Sequence, residues 1–126
     1  MIIGIGIDAI EIDRVAKMHE RLGDRLLDRV FSSEERHYLR SKRVPAQHMA
    51  VRLAAKEAAY KALSGNSLAR GIGWREVEVV SREDGSPQLL LHGSAAARFA
   101  ELNGTHVHVS LTHSLTTAVA VVVVER

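Results

Sequence analysis

Residues 1–13 read MIIGIGIDAIEID, and the prediction of the fold begins with this stretch. Three isoleucines alternate with Gly4 and Gly6 as far as Asp8. Alternation with a period of two is typical of a β-strand, because successive side chains point to opposite faces of the sheet. The pattern therefore predicts a strand over residues 2–8 with one bulky face and one bare face. Asp8 lies on the bare face, beside the glycines.

The two glycines do not match a phosphate-binding loop. A dinucleotide-binding fingerprint requires a third glycine where Ala9 stands, and a P-loop requires a Gly-Lys-Ser/Thr sequence that is absent here. Two interpretations of the bare face remain open. Either it leaves space for a ligand beside the carboxylate of Asp8, or it lets a helix pack closely while Asp8 caps the next helix.

Length and composition narrow the class of protein. The chain of 126 residues is predicted to form a single domain over residues 1–126, and it has no cysteine for disulfides or thiolate metal sites. No basic segment precedes the first apolar run, and the longest apolar run, residues 118–124, is too short to cross a membrane. We therefore expect a soluble, cytoplasmic protein with no membrane partner.

The basic residues indicate the chemistry of the partner. Arginine supplies 13 of the 17 lysines and arginines, although the net charge is only +2. Arginine favours carboxylate and phosphate partners, because its planar guanidinium forms paired hydrogen bonds with both. Nucleic acid is a poorer match, since aromatic residues that would stack on bases make up only 4% of the chain.

The remaining sequence predicts an α+β fold of mixed helices and mostly antiparallel strands. Helices are expected where apolar residues recur three and four apart between capping signals. The expected helices cover residues 10–22, 26–31, 33–40, 45–63 and 93–102. The expected later strands cover residues 75–81, 88–91, 106–112 and 115–124, the last two as a hairpin. A glycine-containing loop is expected over residues 64–73.

The sequence RLAAKEAAYKAL, residues 52–63, lies on the long alanine-rich helix. Helical spacing places Glu57 and Lys61 on the same face as apolar residues such as Leu53. A charge on such a face is costly to bury unless it is paired or bound to a ligand. The alternative is a solvated ion pair four residues apart, which contributes only about 0.2–0.5 kcal/mol.

The sequence HVHVSLTHS, residues 106–114, alternates between apolar and hydrogen-bonding side chains. Two functional interpretations compete with a solvated strand face. In the first, His106 and His108 ligate a transition metal together with His113 and Asp8. The second is a phosphate or ribose site that comprises Ser110, Thr112 and His113.

Together these stretches resemble the holo-acyl-carrier-protein synthase family, the small phosphopantetheinyl transferases. The resemblance runs in order through GIGIDAIEIDRV, FSSEERHYL, RLAAKEAAYKAL, DGSPQLLLHGSA and SLTHS, and so covers nearly the whole chain. It implies transfer of the 4′-phosphopantetheine arm of coenzyme A to a serine of apo-acyl carrier protein, with release of 3′,5′-ADP. It also implies a role in cytoplasmic fatty acid biosynthesis.

The same resemblance implies a magnesium site. Asp8 and Glu57 match the family's two carboxylate ligands, and magnesium prefers such oxygen ligands. A divalent cation at this place stabilises the charge that builds on the leaving phosphate. Lys61 matches the family's lysine that stabilises this charge or donates a proton. Either Glu57 or a water molecule is expected to accept the proton of the attacking serine.

Coenzyme A binding is implied by matches elsewhere in the chain. Arg52 and His113 match positions that contact the phosphates of coenzyme A, and Ser110 and Thr112 lie beside them. Gly65 lies in a Ser-Gly-Asn loop where the family usually has Gly-Thr-Gly, and it remains the residue of that loop expected to contact coenzyme A.

The resemblance implies a homotrimer whose active sites lie between neighbouring subunits. In that arrangement Asp8, Glu57 and Lys61 come from one chain, and the strand that carries His113 comes from the next. The sequence itself offers only the apolar run over residues 118–124, which fits a core as well as an interface.

Basic residues near the first predicted helix match the arginines with which the family docks its acidic carrier protein. These are Arg14, Arg21 and Arg25. Acidic residues interleave with them, so the alternative is an ordinary solvated face. Two other functions remain open: an oligomer that binds a nucleotide or an acidic protein without transfer activity, and a metal-dependent hydrolase that uses His106 and His108.

Overall fold

The computed structural model describes residues 1–126 and confirms the α+β class. The strands are β1 (Ile2–Glu11), β2 (Val77–Ser81), β3 (Pro87–Leu91), β4 (His106–His113) and β5 (Thr117–Glu125). The helices are α1 (Ile12–Leu22), α2 (Asp24–Val30), α3 (Ser33–Arg40), α4 (Pro45–Ala62), α5 (Ser67–Arg70) and α6 (Gly93–Glu101). No helix is long and apolar enough to cross a membrane.

The strands form two separate antiparallel sheets. The larger sheet has the order β1-β5-β4, and the smaller one is the β2–β3 hairpin. The predicted hairpin at the end of the chain is confirmed. The first strand is longer than predicted, because β1 pairs with β5 as far as Glu11 opposite Thr117. Asp8 therefore lies inside β1 instead of closing it, and it does not cap the following helix, which begins at Ile12.

Local sequence signals explain the helix boundaries. The side chain of Ser32 accepts a hydrogen bond from the backbone of Glu35, whose side chain in turn accepts one from the Ser32 backbone, so α3 begins with the predicted capping box. Pro45 opens α4, where a missing N–H costs nothing. The predicted loop over residues 64–73 is only partly correct, because Asn66 caps the short helix α5.

Helix α4 is the centre of the molecule. Most of its residues are buried, because it lies across the larger sheet while the other elements cover its remaining sides. Two apolar clusters flank it, one towards α1 and α2 and the other towards β5 and α6. Of the residues in its second half, Glu57, Tyr60 and Lys61 keep contact with solvent. The charged pair on this helix is therefore placed at the edge of a buried element.

The two glycines of β1 let α4 lie directly against the strand. A Cβ atom at Gly4 would collide with the carbonyl oxygen of Ala62, and one at Gly6 would collide with that of Ala58. The bare face predicted from the sequence is thus covered by a helix, and of the two interpretations, close helix packing is correct. This close approach also brings Asp8, two residues beyond Gly6 on the same face, against α4.

Replacing Gly6 by alanine is expected to lower the free energy of unfolding by about 1–3 kcal/mol, because strand and helix must separate to admit the methyl group. Gly71→Ala is the matched control, since a Cβ there meets only ordinary van der Waals contacts. We expect the control to change stability by less than about 0.5 kcal/mol. Chemical denaturation at one protein concentration measures both values. Equal stability of the two variants would contradict the packing of α4 on β1.

Candidate active site

Asp8, Glu57 and Lys61 meet where β1 packs against α4. The ammonium group of Lys61 donates hydrogen bonds to Asp8 Oδ1 at 3.1 Å and to the carbonyl oxygen of Ile7 at 2.9 Å. Glu57 lies one helical turn before Lys61, close enough for the charge of Asp8 to act on it. The predicted solvated ion pair between Glu57 and Lys61 does not form, because Lys61 pairs with Asp8 instead.

The environment of Glu57 favours a divalent cation. Burial raises the pKa of Glu57 above its usual value, the negative charge of Asp8 raises it further, and Lys61 opposes both effects. Two carboxylates that repel each other at the edge of a groove fit a cation that binds both. The chain contains no cluster of three or more histidine, cysteine or acidic side chains placed to hold a metal. Two carboxylates suit magnesium, which commonly takes its other ligands from water and substrate phosphates.

The structure does not support the transition-metal site based on histidines. His106 and His108 lie exposed on the outer face of the larger sheet, with their rings stacked 6.0 Å apart. His108 Nε2 lies 2.9 Å from Glu125 Oε1. Asp8 faces α4 on the opposite side of the same sheet, so it cannot join these histidines around one ion. The structure also does not support the metal-dependent hydrolase, because that interpretation depends on the same pair of histidines.

An open groove of about 710 Å³ lies beside the two carboxylates. Its lining is mostly apolar, with Met18 of α1 and Leu53 of α4, and it includes the carboxylates of Asp8 and Glu57. We name it the carboxylate groove, and define it by six of its lining residues: Asp8, Arg14, Met18, Leu53, Glu57 and Trp74. Its combination of apolar and charged lining residues suits a partner that presents both apolar and charged groups.

The three arginines matched to carrier docking are exposed and free. None of Arg14, Arg21 and Arg25 forms an ion pair. Two of the interleaved acids are paired with other bases, Asp13 with Lys17 and Asp24 with Arg40. Arg14 lines the carboxylate groove itself. The exposed positive charge therefore begins at the carboxylate groove and continues along α1 into α2.

A second groove, of about 220 Å³, lies on the other side of α4. We name it the cationic groove, and define it by five of its lining residues: Tyr38, His48, Arg52, Thr112 and His113. No acidic residue lines it, and it shares no lining residue with the carboxylate groove. The structure thus brings Arg52 together with Thr112 and His113, but separates all three from Asp8 and Glu57 within one chain.

Arg52 carries a hydrogen-bond donor without an acceptor. Its side chain is almost completely buried, with the guanidinium 4.1 Å from the centre of the Tyr38 ring and Nη1 donating to the carbonyl oxygen of His48 at 3.3 Å. Its Nε is buried and has no partner. Buried donors in proteins nearly always have an acceptor, so this atom fits an anionic group bound in the cationic groove.

His48 reports the positive charge of this groove. Burial lowers the pKa of His48 below its usual value, and Arg52, Lys42 and His113 lower it further. Neither His48 nor Tyr38 was predicted from the sequence to belong to a site. A signal for His48 was available, because it lies four residues before Arg52 and hence on the same face of a predicted helix. Tyr38 lies on another helix, and only the folded chain places it beside Arg52.

We expect His48 to make the protein less stable as the pH falls. Because its pKa is lowered on folding, the unfolded chain takes up the proton first, and the stabilisation present near pH 7 is lost as the pH falls through the titration range of His48. His48→Gln should therefore show a smaller loss of unfolding free energy between pH 7 and pH 5 than the wild type. His37→Gln, at an exposed position on α3, is the control. Identical pH dependence of all three proteins would contradict this environment for His48.

The remaining matched residues lie outside both grooves. Ser110 is exposed on the outer face of β4. Gly65 follows α4 in a backbone conformation with φ of 130°, which favours glycine. Arg98 of α6 holds this loop in place by donating to the carbonyl oxygens of Leu63 at 2.8 Å and Ser64 at 3.0 Å. Gly65 therefore lies just beyond the end of the helix that carries Lys61.

A phosphate-handling transferase is the class that this fold and these two grooves suggest, and comparison with known proteins agrees. The family model of the 4′-phosphopantetheinyl transferase superfamily matches residues 4–120. A holo-[acyl-carrier-protein] synthase of Nitratidesulfovibrio vulgaris is 50% identical over 125 residues, which cover 99% of each chain. The chain belongs to the holo-[acyl-carrier-protein] synthases of this superfamily.

Solved structures show the same fold. The crystal structure of holo-[acyl-carrier-protein] synthase from Neisseria meningitidis matches with a TM-score of 0.88 and 25% identity, covering 100% of both chains. The enzyme from Bacillus anthracis, in complex with coenzyme A (3′,5′-ADP), matches with a TM-score of 0.79 and 32% identity, covering 98% of this chain and 96% of that one.

Proposed function

We propose that this chain transfers 4′-phosphopantetheine from coenzyme A to a serine of apo-acyl carrier protein and releases 3′,5′-ADP. The observation that carries the proposal is the meeting of Asp8, Glu57 and Lys61 beside the carboxylate groove, which Asp8, Glu57 and the unpaired Arg14 line. Coupled formation of 3′,5′-ADP and modified carrier protein tests it. Equal molar amounts of the two products are expected, and 3′,5′-ADP without modified carrier would indicate hydrolysis instead.

Asp8 and Glu57 would hold a magnesium ion, which supplies positive charge for the phosphate oxygens of coenzyme A. The donor set fits, because two mutually repelling carboxylates lie at the edge of a groove large enough for a substrate phosphate. Lys61 holds Asp8 in place through its hydrogen bond, and one of its three N–H donors remains free on a side chain that is half exposed. Its charge stabilises the leaving phosphate, or it donates a proton to that group.

Glu57 is the chain's own candidate for the general base. Burial and the negative charge of Asp8 raise the pKa of Glu57 above its usual value, and a carboxylate with a raised pKa is a stronger proton acceptor. In this role Glu57 accepts the hydroxyl proton of the carrier's serine as the oxygen attacks phosphorus. A water molecule in the groove is the alternative acceptor.

We also propose a homotrimer in which the site is completed by a neighbouring subunit. Within one chain the cationic groove and the carboxylate groove lie on different sides of α4 and share no residue. The outer face of the larger sheet exposes Ile5 and Ile7 at 61% each, a larger apolar surface than β1 needs in a monomer. Assembly through this face covers it and places one chain's His113 beside the next chain's Asp8.

We also propose a cytoplasmic location for this enzyme, because it uses coenzyme A.

The acidic carrier protein docks on the exposed arginines of α1 and α2 in this account. Each charge reversal, Arg14→Glu, Arg21→Glu or Arg25→Glu, should raise the KM for the carrier and slow its association, because attraction between exposed charges mainly sets the association rate. We expect the largest effect, about tenfold, at Arg14, which lines the groove. The KM for coenzyme A should stay within about twofold.

Salt separates this docking role from a catalytic one. Raising the ionic strength should weaken carrier binding by the wild type more than by the charge-reversed variants, since screening removes an attraction that they have already lost. Arg82→Glu, in the exposed β2–β3 turn, is the matched control. Equal changes in the KM of both substrates would indicate that these arginines belong to the catalytic site. No change in either KM would indicate that they form an ordinary solvated surface without a docking role.

A further inference from the structure

Lys56 immediately precedes Glu57 but points into the protein instead of towards the groove. Its side chain is 1% exposed. Its Nζ donates to Glu35 Oε1 at 2.8 Å, to the carbonyl oxygen of Trp74 at 3.0 Å, and to that of Val77. All three N–H donors of the ammonium group are therefore used inside the protein.

Glu35 is just as fully engaged. Its Oε1 accepts a hydrogen bond from the backbone of Ser32 at 3.0 Å, and its Oε2 accepts one from the backbone of Val79 at 3.2 Å. Glu35 is 1% exposed. The Lys56–Glu35 pair thus joins α3, α4, β2 and the segment around Trp74 through buried hydrogen bonds.

A buried ion pair of this kind is a weak source of stability. The cost of removing both charges from water roughly cancels their attraction, and apolar side chains of similar volume often stabilise a protein as well or better. What apolar side chains cannot do is hold two backbone carbonyl groups at a fixed place. The distinctive effect of Lys56 is therefore on the position of the segment from Trp74 to Val77.

The position of the segment from Trp74 to Val77 affects the candidate active site, because Trp74 lines one of its grooves. Trp74 is 39% exposed and lines the carboxylate groove together with Glu57. It also borders a smaller cavity of about 210 Å³, which Glu57, Tyr60 and Ile72 line as well. Lys56 donates a hydrogen bond to the backbone of Trp74 and is the chain neighbour of Glu57, so it links two residues that line both cavities.

We propose that Lys56, together with Glu35, is a positioning residue for transfer, which holds Trp74 as a wall of the carboxylate groove at a fixed distance from Glu57. This inference rests on the proposed function. Lys56 acts through the Trp74 segment, because its ammonium group is enclosed by protein. A wall displaced by about 1 Å can misplace a bound substrate and slow its reaction by up to a hundredfold.

The double variant Lys56→Met/Glu35→Gln isolates this role. It removes both charges together, so neither is left buried and unpaired. Methionine fills most of the volume of lysine, and glutamine keeps one carbonyl oxygen, which can still accept one of the two backbone hydrogen bonds that Glu35 accepts. The bonds from Lys56 to the carbonyl groups of Trp74 and Val77 are lost. The matched control Arg40→Met/Asp24→Asn removes an ion pair from the surface instead.

Trp74 is the only tryptophan and therefore reports its own position by fluorescence. In the double variant we expect stronger quenching by acrylamide, lower anisotropy and a kcat at least about tenfold below the wild type, with the KM for coenzyme A within about twofold. The control should match the wild type in every measurement. Unchanged fluorescence would overturn the inference, and so would unchanged kcat.

If the double variant does not fold, Lys56→Gln/Glu35→Gln provides the test. It also leaves no charge buried and unpaired, and the new amide at position 56 offers two N–H donors where lysine offers three, so smaller changes in the same direction are expected, and their absence would overturn the inference. Fluorescence needs no substrate, so the two proposals fail separately. A wild type without transfer activity would refute the proposed function, whereas the response of Trp74 would still decide whether Lys56 positions it.

Discussion

Replacing Asp8 by alanine is expected to lower kcat/KM for transfer by about a thousandfold, because the variant loses one of two carboxylates that would hold the cation. A loss of this size corresponds to about 4 kcal/mol of transition-state stabilisation, within the range of a metal ion's contribution. The fold should survive, since the Asp8–Lys61 pair is partly exposed and such pairs contribute at most about 1 kcal/mol. Steady-state kinetics and thermal unfolding measure the two effects.

Asp28→Ala is the control for this experiment, because Asp28 is an exposed acid on α2 whose only ion pair, with Arg36, is long at 3.7 Å. Its kinetics should match those of the wild type. Wild-type activity of Asp8→Ala would refute the assignment of Asp8 to the metal site. Unfolding of Asp8→Ala would show instead that its pair with Lys61 is needed for the structure.

Mixing two inactive variants should restore activity if the sites lie between subunits. Asp8→Ala and His113→Ala are each expected to be inactive, since one loses a proposed metal ligand and the other a proposed phosphate contact. Every mixed trimer then contains one interface with both residues intact. Random assembly of equal amounts should therefore recover about a quarter of the wild-type activity.

Differently tagged copies of the two variants, co-expressed and purified through both tags, provide trimers that are mixed by construction. Recovery in this preparation, and its absence in either variant alone, is the expected result. No recovery in doubly tagged trimers would place the whole site within one chain. A preparation without trimers would contradict the assembly itself.

The fold was predictable largely because its local signals agree with its tertiary contacts. The capping box at Ser32 and Glu35 and the proline at residue 45 predict helices that form. The alternation around Gly4 and Gly6 predicts a strand, but the sequence alone does not say what covers it. That answer depends on which helix docks, and only the folded chain brings the carbonyl groups of α4 to the glycines.

The proximity of the candidate site residues was predictable through the resemblance, whereas contacts between other residues distant in sequence were not. Asp8, Glu57 and Lys61 follow from the resemblance, and the structure brings them together. Glu35 was identified only as a helix cap, because its contact with Lys56 joins residues 21 apart. No function was predicted for Trp74 from the sequence, since its place beside Glu57 depends on how the segment after α5 folds.

The decisive test of transfer activity is the intact mass of apo-acyl carrier protein after incubation with this protein, coenzyme A and magnesium. We predict that the carrier gains the mass of one phosphopantetheine group, and that it gains nothing when its acceptor serine is replaced by alanine or when a chelator removes the metal. A carrier that keeps its original mass in the presence of magnesium, while coenzyme A binds to the protein, would refute transfer and indicate a binding protein without transfer activity.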